Sequence, residues 1–425
     1  MQAKVQIHSV GGNTAGLPEI FLVAGTRPES IKLAPVAAAI RRTGRMRPVM
    51  VASGQHPTMV PQALEAFDLI PDHTLSVNRQ SGTQAELCGQ LMSELDGLLE
   101  TRQPAAVVVQ GDTTTTLAGA LGAFWRRIPV VHLEAGLRSY DLTSPFPEEA
   151  NRKLVGQVAA LHLTPTAVAA ANLAAEGIAS ERVLTVGNTV VDAVLEVAGK
   201  CRPYQDSRLA AVDAEVRAGR RRLVLVTVHR RESWGEPMER VLRAVAEIVL
   251  THPDIEVVLP AHPNPAVFGQ VQEILGQLDR ITVTEPLSYS DLARVLSVAT
   301  LVLSDSGGIQ EEAPSFGVPV LVLRDVTERM EAVDAGCARL VGTDRPLIVA
   351  QAHRLLTDET ARQSMAAVGN PFGDGLAAER TEQALGWLIG LQAERPADFT
   401  SLTGKDTAAG QGLDGGVAMD AQAVA

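Results

Sequence analysis

The sequence predicts two doubly wound α/β domains, and three observations carry that prediction. Short, uninterrupted apolar runs rich in β-branched residues alternate with longer helical patterns; the runs fall into two sets of six; and polar residues gather at the carboxyl ends of the runs. Uninterrupted apolar strands separated by helices indicate parallel sheets covered on both faces. At 425 residues the chain is long enough for two separate cores.

In chain order, the first six runs occupy 20–26, 47–53, 105–112, 129–136, 160–166 and 182–188. The second six occupy 222–230, 255–263, 281–286, 301–308, 318–325 and 338–344. The halves meet near 188–220, which divides the chain into domains at 19–188 and 189–375. Residues 1–18 read as a polar extension, and periodicity fades from about 391. The stretch 401–425 is rich in Gly, Ala and Asp with no aromatic residue, so 391–425 is expected to be a disordered tail. In open α/β sheets, ligands bind beyond the carboxyl ends of the strands, so two facing domains predict one central cleft.

Composition removes several classes of function. A formal charge of −12 argues against a nucleic-acid surface, and an anionic ligand must then be held by local cations and backbone dipoles. No apolar run reaches the ~18–20 residues of a membrane span, and residues 1–18 lack the apolar core of a signal peptide. The three cysteines, Cys88, Cys201 and Cys337, are far apart and form no CxxC pair. Neither a disulfide framework nor a zinc site is expected, which fits a reducing cytoplasm.

The chemistry-bearing stretches sit at the run ends. In "SDSGGIQEE" (304–312) a strand ends, Ser306-Gly307-Gly308 turns and a helix begins, a geometry that lets free backbone N–H groups approach a phosphate. One of Glu311 and Glu312, about a turn further on, is suited to ribose hydroxyls. "GTRPESIK" (25–32) supplies Arg27 and Lys32, two cations able to clamp a diphosphate. "QGDTTTT" offers Asp112, "HLEAGLRS" offers Glu134 and Arg138, and "SPFPEEANR" offers Glu148 and Glu149. A carboxylate at the end of a buried strand is expensive without a partner or a task. "VTVHRRES" delivers His229 between a strand and two arginines; His132 and His262 read as packing residues. Neither GxGxxG nor GxxxxGK[ST] occurs, so dinucleotide and P-loop readings lack their usual support.

Taken in order and register, "GTRPE…K", "SGQH", "QGDTTTT", "HLEAGLR", "SPFPEEANR", "HRRES" and "SDSGGIQEEAPSFGVPVLVLRDVTER" closely resemble the non-hydrolysing UDP-N-acetylglucosamine 2-epimerases over roughly 19–390. The resemblance implies a GT-B-like fold of two Rossmann-like domains, with a final helix around 376–390 returning to the first. It implies a homodimer and reversible conversion of UDP-N-acetylglucosamine to UDP-N-acetylmannosamine without metal or other cofactor. It marks Asp112, Glu134 and Glu148 as the acid–base carboxylates and His229 as their catalytic companion. Arg27 and Lys32 match the nucleotide cations, Ser306, Gly307 and Gly308 the diphosphate turn, Glu312 the ribose carboxylate, and Arg329 the arginine of "TER". Leu292 stands where some members carry an aromatic beside the uracil, which is then read by backbone around Leu287. Pro57 and Thr58 depart from the family's usual activator-binding residues, while Gln55 and His56 remain.

The implied chemistry begins with C1–O cleavage, because the C2 hydrogen of the sugar is not acidic. Departure of UDP gives the ring oxocarbenium character, a carboxylate then takes the C2 proton to leave 2-acetamidoglucal, and a second carboxylate reprotonates the opposite face. A GT-B glycosyltransferase using a UDP-sugar donor, and an epimerase acting on a related 2-acetamido UDP-sugar, are the alternatives.

Overall fold

The computed structural model describes residues 16–230 and 233–400. Most of the expected N-terminal extension, Arg231 of the "HRRES" stretch and the tail from 401 lie outside the described residues. Seven strands form the first sheet: β1 (Glu19–Ala24), β2 (Arg47–Ala52), β3 (His73–Thr74), β4 (Ala106–Gln110), β5 (Val130–Leu133), β6 (Leu161–Thr164) and β7 (Val183–Thr185). Six form the second: β8 (Arg222–Thr227), β9 (Ile255–Pro260), β10 (Ile281–Thr284), β11 (Ala299–Ser304), β12 (Val320–Val322) and β13 (Ala338–Leu340).

The strand orders are β3-β2-β1-β4-β5-β6-β7 and β10-β9-β8-β11-β12-β13. Each reverses once, between β1 and β4 and between β8 and β11, and the strands pair in parallel there. A doubly wound sheet opens its ligand crevice at that reversal. Strands such as VVV in β4 and LVLV in β8 are apolar throughout because helices cover both faces.

The helices between β1 and β7 are α1 (Arg27–Thr43), α2 (Met59–Glu65), α3 (Gln84–Arg102), α4 (Thr114–Trp125), α5 (Glu148–Val158) and α6 (Ala167–Ala175). The connection to the second sheet carries α7 (Thr189–Gly199) and α8 (Ser207–Arg217). There follow α9 (Glu236–Thr251), α10 (Pro265–Leu275), α11 (Tyr289–Val298), α12 (Gly307–Glu312), α13 (Met330–Ala335), α14 (Arg345–Thr357), α15 (Glu359–Ala366) and α16 (Ala377–Leu388). Helix α7 touches both α1 and α11, and its Val190, Val194 and Val197 belong to one apolar core continuous with both sheets.

Helix α16 packs on α1 and α7. Glu382 takes Arg45 Nη2 at 2.7 Å and Thr43 Oγ1 at 2.7 Å, while Asp192 of α7 accepts the N–H groups of Ala377 and Ala378.

Two details differ from expectation. The first sheet has a seventh strand, β3, whose two residues pair with Val51 and Ala52; His73-Thr74 is too short and polar to show as an apolar run. Within the stretch expected to be disordered from 391, the described residues 395–399 lie against β7. Asp398 Oδ1 accepts Thr185 N–H at 2.7 Å, Phe399 N–H donates to Thr185 C=O at 2.7 Å, and Arg395 donates to the Val183 carbonyl. The outer edge of β7 offers unpaired backbone groups, and this segment satisfies them. Among the described residues, no helix is long and apolar enough to cross a membrane.

Candidate active site

The loops after β1 and β4 meet first. Helix α1 opens with Thr26, Arg27 and Pro28, and Glu29 reaches back to accept the N–H groups of Gly25 at 2.7 Å and Thr26 at 2.6 Å. The same carboxyl takes the hydroxyls of Thr113 at 2.5 Å and Thr116 at 3.1 Å, tying the start of α1 to that of α4. A Cβ on Gly25 would lie 2.2 Å from Thr115 Oγ1, so the two loops approach as closely as backbone allows. This tether raises Arg27 and Lys32 over the cleft; Arg27 Nη2 donates to Leu287 C=O in the second domain at 3.2 Å.

Glu134 follows β5 with φ +61°, a left-handed backbone that costs a residue with a Cβ about 1–3 kcal/mol. Three partners hold its carboxylate there: Lys32 Nζ at 2.5 Å, Asn188 Nδ2 at 3.3 Å, and Gln110 Nε2. Asp112 sits beside it on the turn after β4, where Gly111 takes φ +71° and its pro-Cβ direction points toward Glu134 Oε2. Arg152 of α5 grips Asp112 Oδ2 from Nε and Nη2, both at 2.8 Å, and Asn151 bonds the Asp112 carbonyl. Below this turn His132 Nε2 meets Gly111 C=O at 2.7 Å, and burial pushes its pKa down to about 4, so the ring is neutral packing as expected.

The two glutamates of "PEE" divide. Glu149 is fully buried, accepts the N–H groups of Ser139 and Tyr140, and binds Arg152. Glu148 is half-buried at the first position of α5, on the helix that grips Asp112. Arg138 turns away: its buried guanidinium pairs with Glu176 at 2.7 Å.

The second domain supplies the opposite wall. Gly307 in the turn after β11 lets the Arg329 guanidinium lie against backbone, since a Cβ there would stand 3.3 Å from Cζ. Glu311 takes Arg329 Nε at 2.9 Å and faces Lys32 Nζ at 3.6 Å. A buried chain of alternating charge, Glu134–Lys32–Glu311–Arg329, therefore runs from one sheet to the other. Burial works against the Lys32 charge, but Glu134 and Glu311 outweigh it and hold its pKa above the ordinary value. Burial likewise opposes ionisation of Glu311, and Lys32 and Arg329 overcome it.

Glu312 differs from its neighbour. Its Oε1 accepts the Tyr289 hydroxyl at 3.2 Å, and burial, reinforced by Glu311, pushes its pKa up to about 8. His229 stands at the end of β8 with Nδ1 3.1 Å from the fully buried Asp305.

A cleft of about 580 Å³ gathers these groups. Arg27, Lys32, His229, Leu287, Leu292, Ser306, Gly308, Glu312 and Arg329 all line it. Glu134 reaches it through Lys32, Gly307 lies under Arg329, and Asp112 follows the Gly111 turn beside Glu134; Asp112, Glu134 and Glu148 are not themselves among the residues that line the cleft. Sequence reasoning missed Tyr289 and Asp305; His262, read as a packing residue, does pack on Trp234, with centroids 5.3 Å apart and rings tilted by 59°, and it also lines the cleft. The alanine and prolines flanking His262 gave no sign of that. Cations on both walls suit a diphosphate, apolar Leu287 and Leu292 suit a flat base, and the carboxylates suit proton transfer. Among the described residues, no group of three or more His, Cys, Asp or Glu could hold a metal ion.

A family model described as UDP-N-acetylglucosamine 2-epimerase matches residues 38–386. The chain is similar to the UDP-N-acetylglucosamine 2-epimerase of Escherichia coli K12, with 43% identity over 373 residues, 86% of this chain and 98% of that relative. It is similar to S. aureus MnaA in a co-structure with UDP, at 39% identity and TM-score 0.79 over 90% of this chain and 100% of that one. It is also similar to the UDP-GlcNAc 2-epimerase of Neisseria meningitidis bound to UDP-GlcNAc, at 37% identity and TM-score 0.75 over 86% and 99%.

Proposed function

The chain belongs to the UDP-N-acetylglucosamine 2-epimerase family, and from that premise we propose that it interconverts UDP-N-acetylglucosamine and UDP-N-acetylmannosamine by eliminating and re-adding UDP. The observation that carries this reading is the charge chain across the cleft, in which Lys32 joins Glu134 of the first domain to Glu311 of the second. A nucleotide diphosphate held by Arg27, Lys32 and Arg329 competes with both carboxylates for these cations. Loosened from Lys32, Glu134 becomes available as a base at the sugar while the cations take the leaving group.

In this reading Arg27, His229 and the amides of Ser306, Gly307 and Gly308 stabilise charge as the C1–O bond stretches. Asp112, Glu134 and Glu148 stabilise the cationic ring, remove the C2 proton and return one to the opposite face. Glu312 accepts ribose hydroxyls, and Leu287 and Leu292 border the uracil. The apposed domains keep 2-acetamidoglucal and UDP together, away from water, until they recombine.

The test is incubation of the purified protein with UDP-N-acetylglucosamine in heavy water, followed by NMR of the anomeric signals. Both sugars should carry deuterium at C2. Isomerisation without deuterium rejects the elimination route, and no isomerisation at all rejects the epimerase.

A further inference from the structure

Asp305, between β11 and the Ser306 turn, has no exposed side-chain surface and no part in the chemistry above. Among the described residues, its carboxylate collects four donors from the segment after β8. These are the N–H of His229 at 3.0 Å, the N–H of Arg230 at 2.9 Å, the Ser233 hydroxyl at 3.2 Å and, at Oδ1, the His229 ring Nδ1 at 3.1 Å. Burial opposes ionisation of Asp305, but the hydrogen bond and charge of His229 outweigh it and hold its carboxyl below the usual range.

An ionised carboxylate can only accept, so the hydrogen of this contact belongs to Nδ1. His229 is half-exposed and lines the cleft, which leaves Nε2 as the ring nitrogen available to a ligand. We propose that Asp305 is a positioning residue that fixes a proton on Nδ1 of His229 and, as the anion paired with that edge of the ring, lets a protonated Nε2 donate to the diphosphate of the substrate. The proposal rests on the reading of His229 at that diphosphate.

An asparagine at 305 keeps one acceptor oxygen, which the backbone N–H groups of 229 and 230 occupy. Its amide then donates to Nδ1, so the ring keeps a single proton on Nε2 and can no longer bring a positive charge to the diphosphate. Asp305→Asn should lower kcat by about 100-fold while KM and UDP affinity stay within about threefold. In a His229→Gln background the same change should add less than about threefold, because the two residues act as one unit. Losses that multiply instead would mark Asp305 as a loop anchor only and overturn the proposal.

Nitrogen NMR of histidine-labelled wild-type protein decides the point even if the variant fails to fold. A protonated Nδ1 is expected at His229, and a bare Nδ1 overturns the assignment to Asp305. Normal turnover in His229→Gln alone would instead remove the catalytic role of His229, leaving the tautomer result intact.

Discussion

Glu312→Gln is a perturbation whose effect can be worked from the site. The Glu312 carboxyl is almost wholly buried, with the Tyr289 hydroxyl on Oε1 and Glu311 beside it in the chain. Burial first, and Glu311 second, raise its pKa from 4.5 to about 8. The folded protein therefore keeps a proton that the unfolded chain has already lost. Stability from this group is fully present below about pH 4.5 and is lost as pH rises through 8, at about 1.4 kcal/mol per pH unit. Across that window the loss amounts to roughly 5 kcal/mol, and at pH 7 to roughly 3 kcal/mol. Glutamine has the shape of the protonated acid and does not titrate. The variant should match the parent near pH 4, exceed it by roughly 3 kcal/mol at pH 7, and exceed it by roughly 5 kcal/mol at pH 8.5. Urea unfolding of both proteins at these three pH values measures the differences. A gap that does not widen with pH would refute the argument that this carboxyl is neutral in the empty cleft.

Ribose hydroxyls donating to Glu312 favour its ionised form, so uridine binding at pH 7 should release about one proton; calorimetry in two buffers of different ionisation enthalpy reads the number, and zero release removes Glu312 from the ribose. Glu134→Gln should retain UDP affinity and lose turnover by about 10³-fold, and near-normal epimerisation followed by NMR would strike Glu134 from the catalytic set. Gly25→Ala forces a methyl to within 2.2 Å of Thr115 Oγ1; it should cost about 1–3 kcal/mol in urea unfolding and depress turnover. Asp192→Ala strips two N–H groups of α16 of their acceptor, and a fall of about 1–2 kcal/mol in stability is expected, with an unchanged denaturation midpoint arguing that α16 caps itself.

Most of the sheet was legible in the sequence because strands buried on both faces must be apolar at every position, as in VLV of β12 and IFLVA of β1. The rule that ligands bind beyond the carboxyl ends of parallel strands then pointed to the loops at Arg27, His229 and Ser306, which line one cleft, without knowledge of any side-chain contact. What stayed hidden depends on partners distant in sequence. Nothing in "QEE" distinguishes Glu311 from Glu312; the distinction comes from Lys32, far upstream, and from Tyr289, which leads another helix. The left-handed backbone of Glu134 was equally invisible, since Gln110, Lys32 and Asn188 impose it from three separate elements. That His262 also borders the cleft was hidden, because strand-end histidines look alike until the cleft wall is known.

The placement of α16 has a consequence for synthesis on the ribosome. Its partner α1 leaves the exit tunnel long before it, since the surface that covers Thr43 and Arg45 is translated only after the whole second sheet. The nascent first half must wait with the flank of α1 uncovered until the second sheet and then α16 have been made. A polypeptide released before α16 is made would leave that flank of α1, with Thr43 and Arg45, exposed to water.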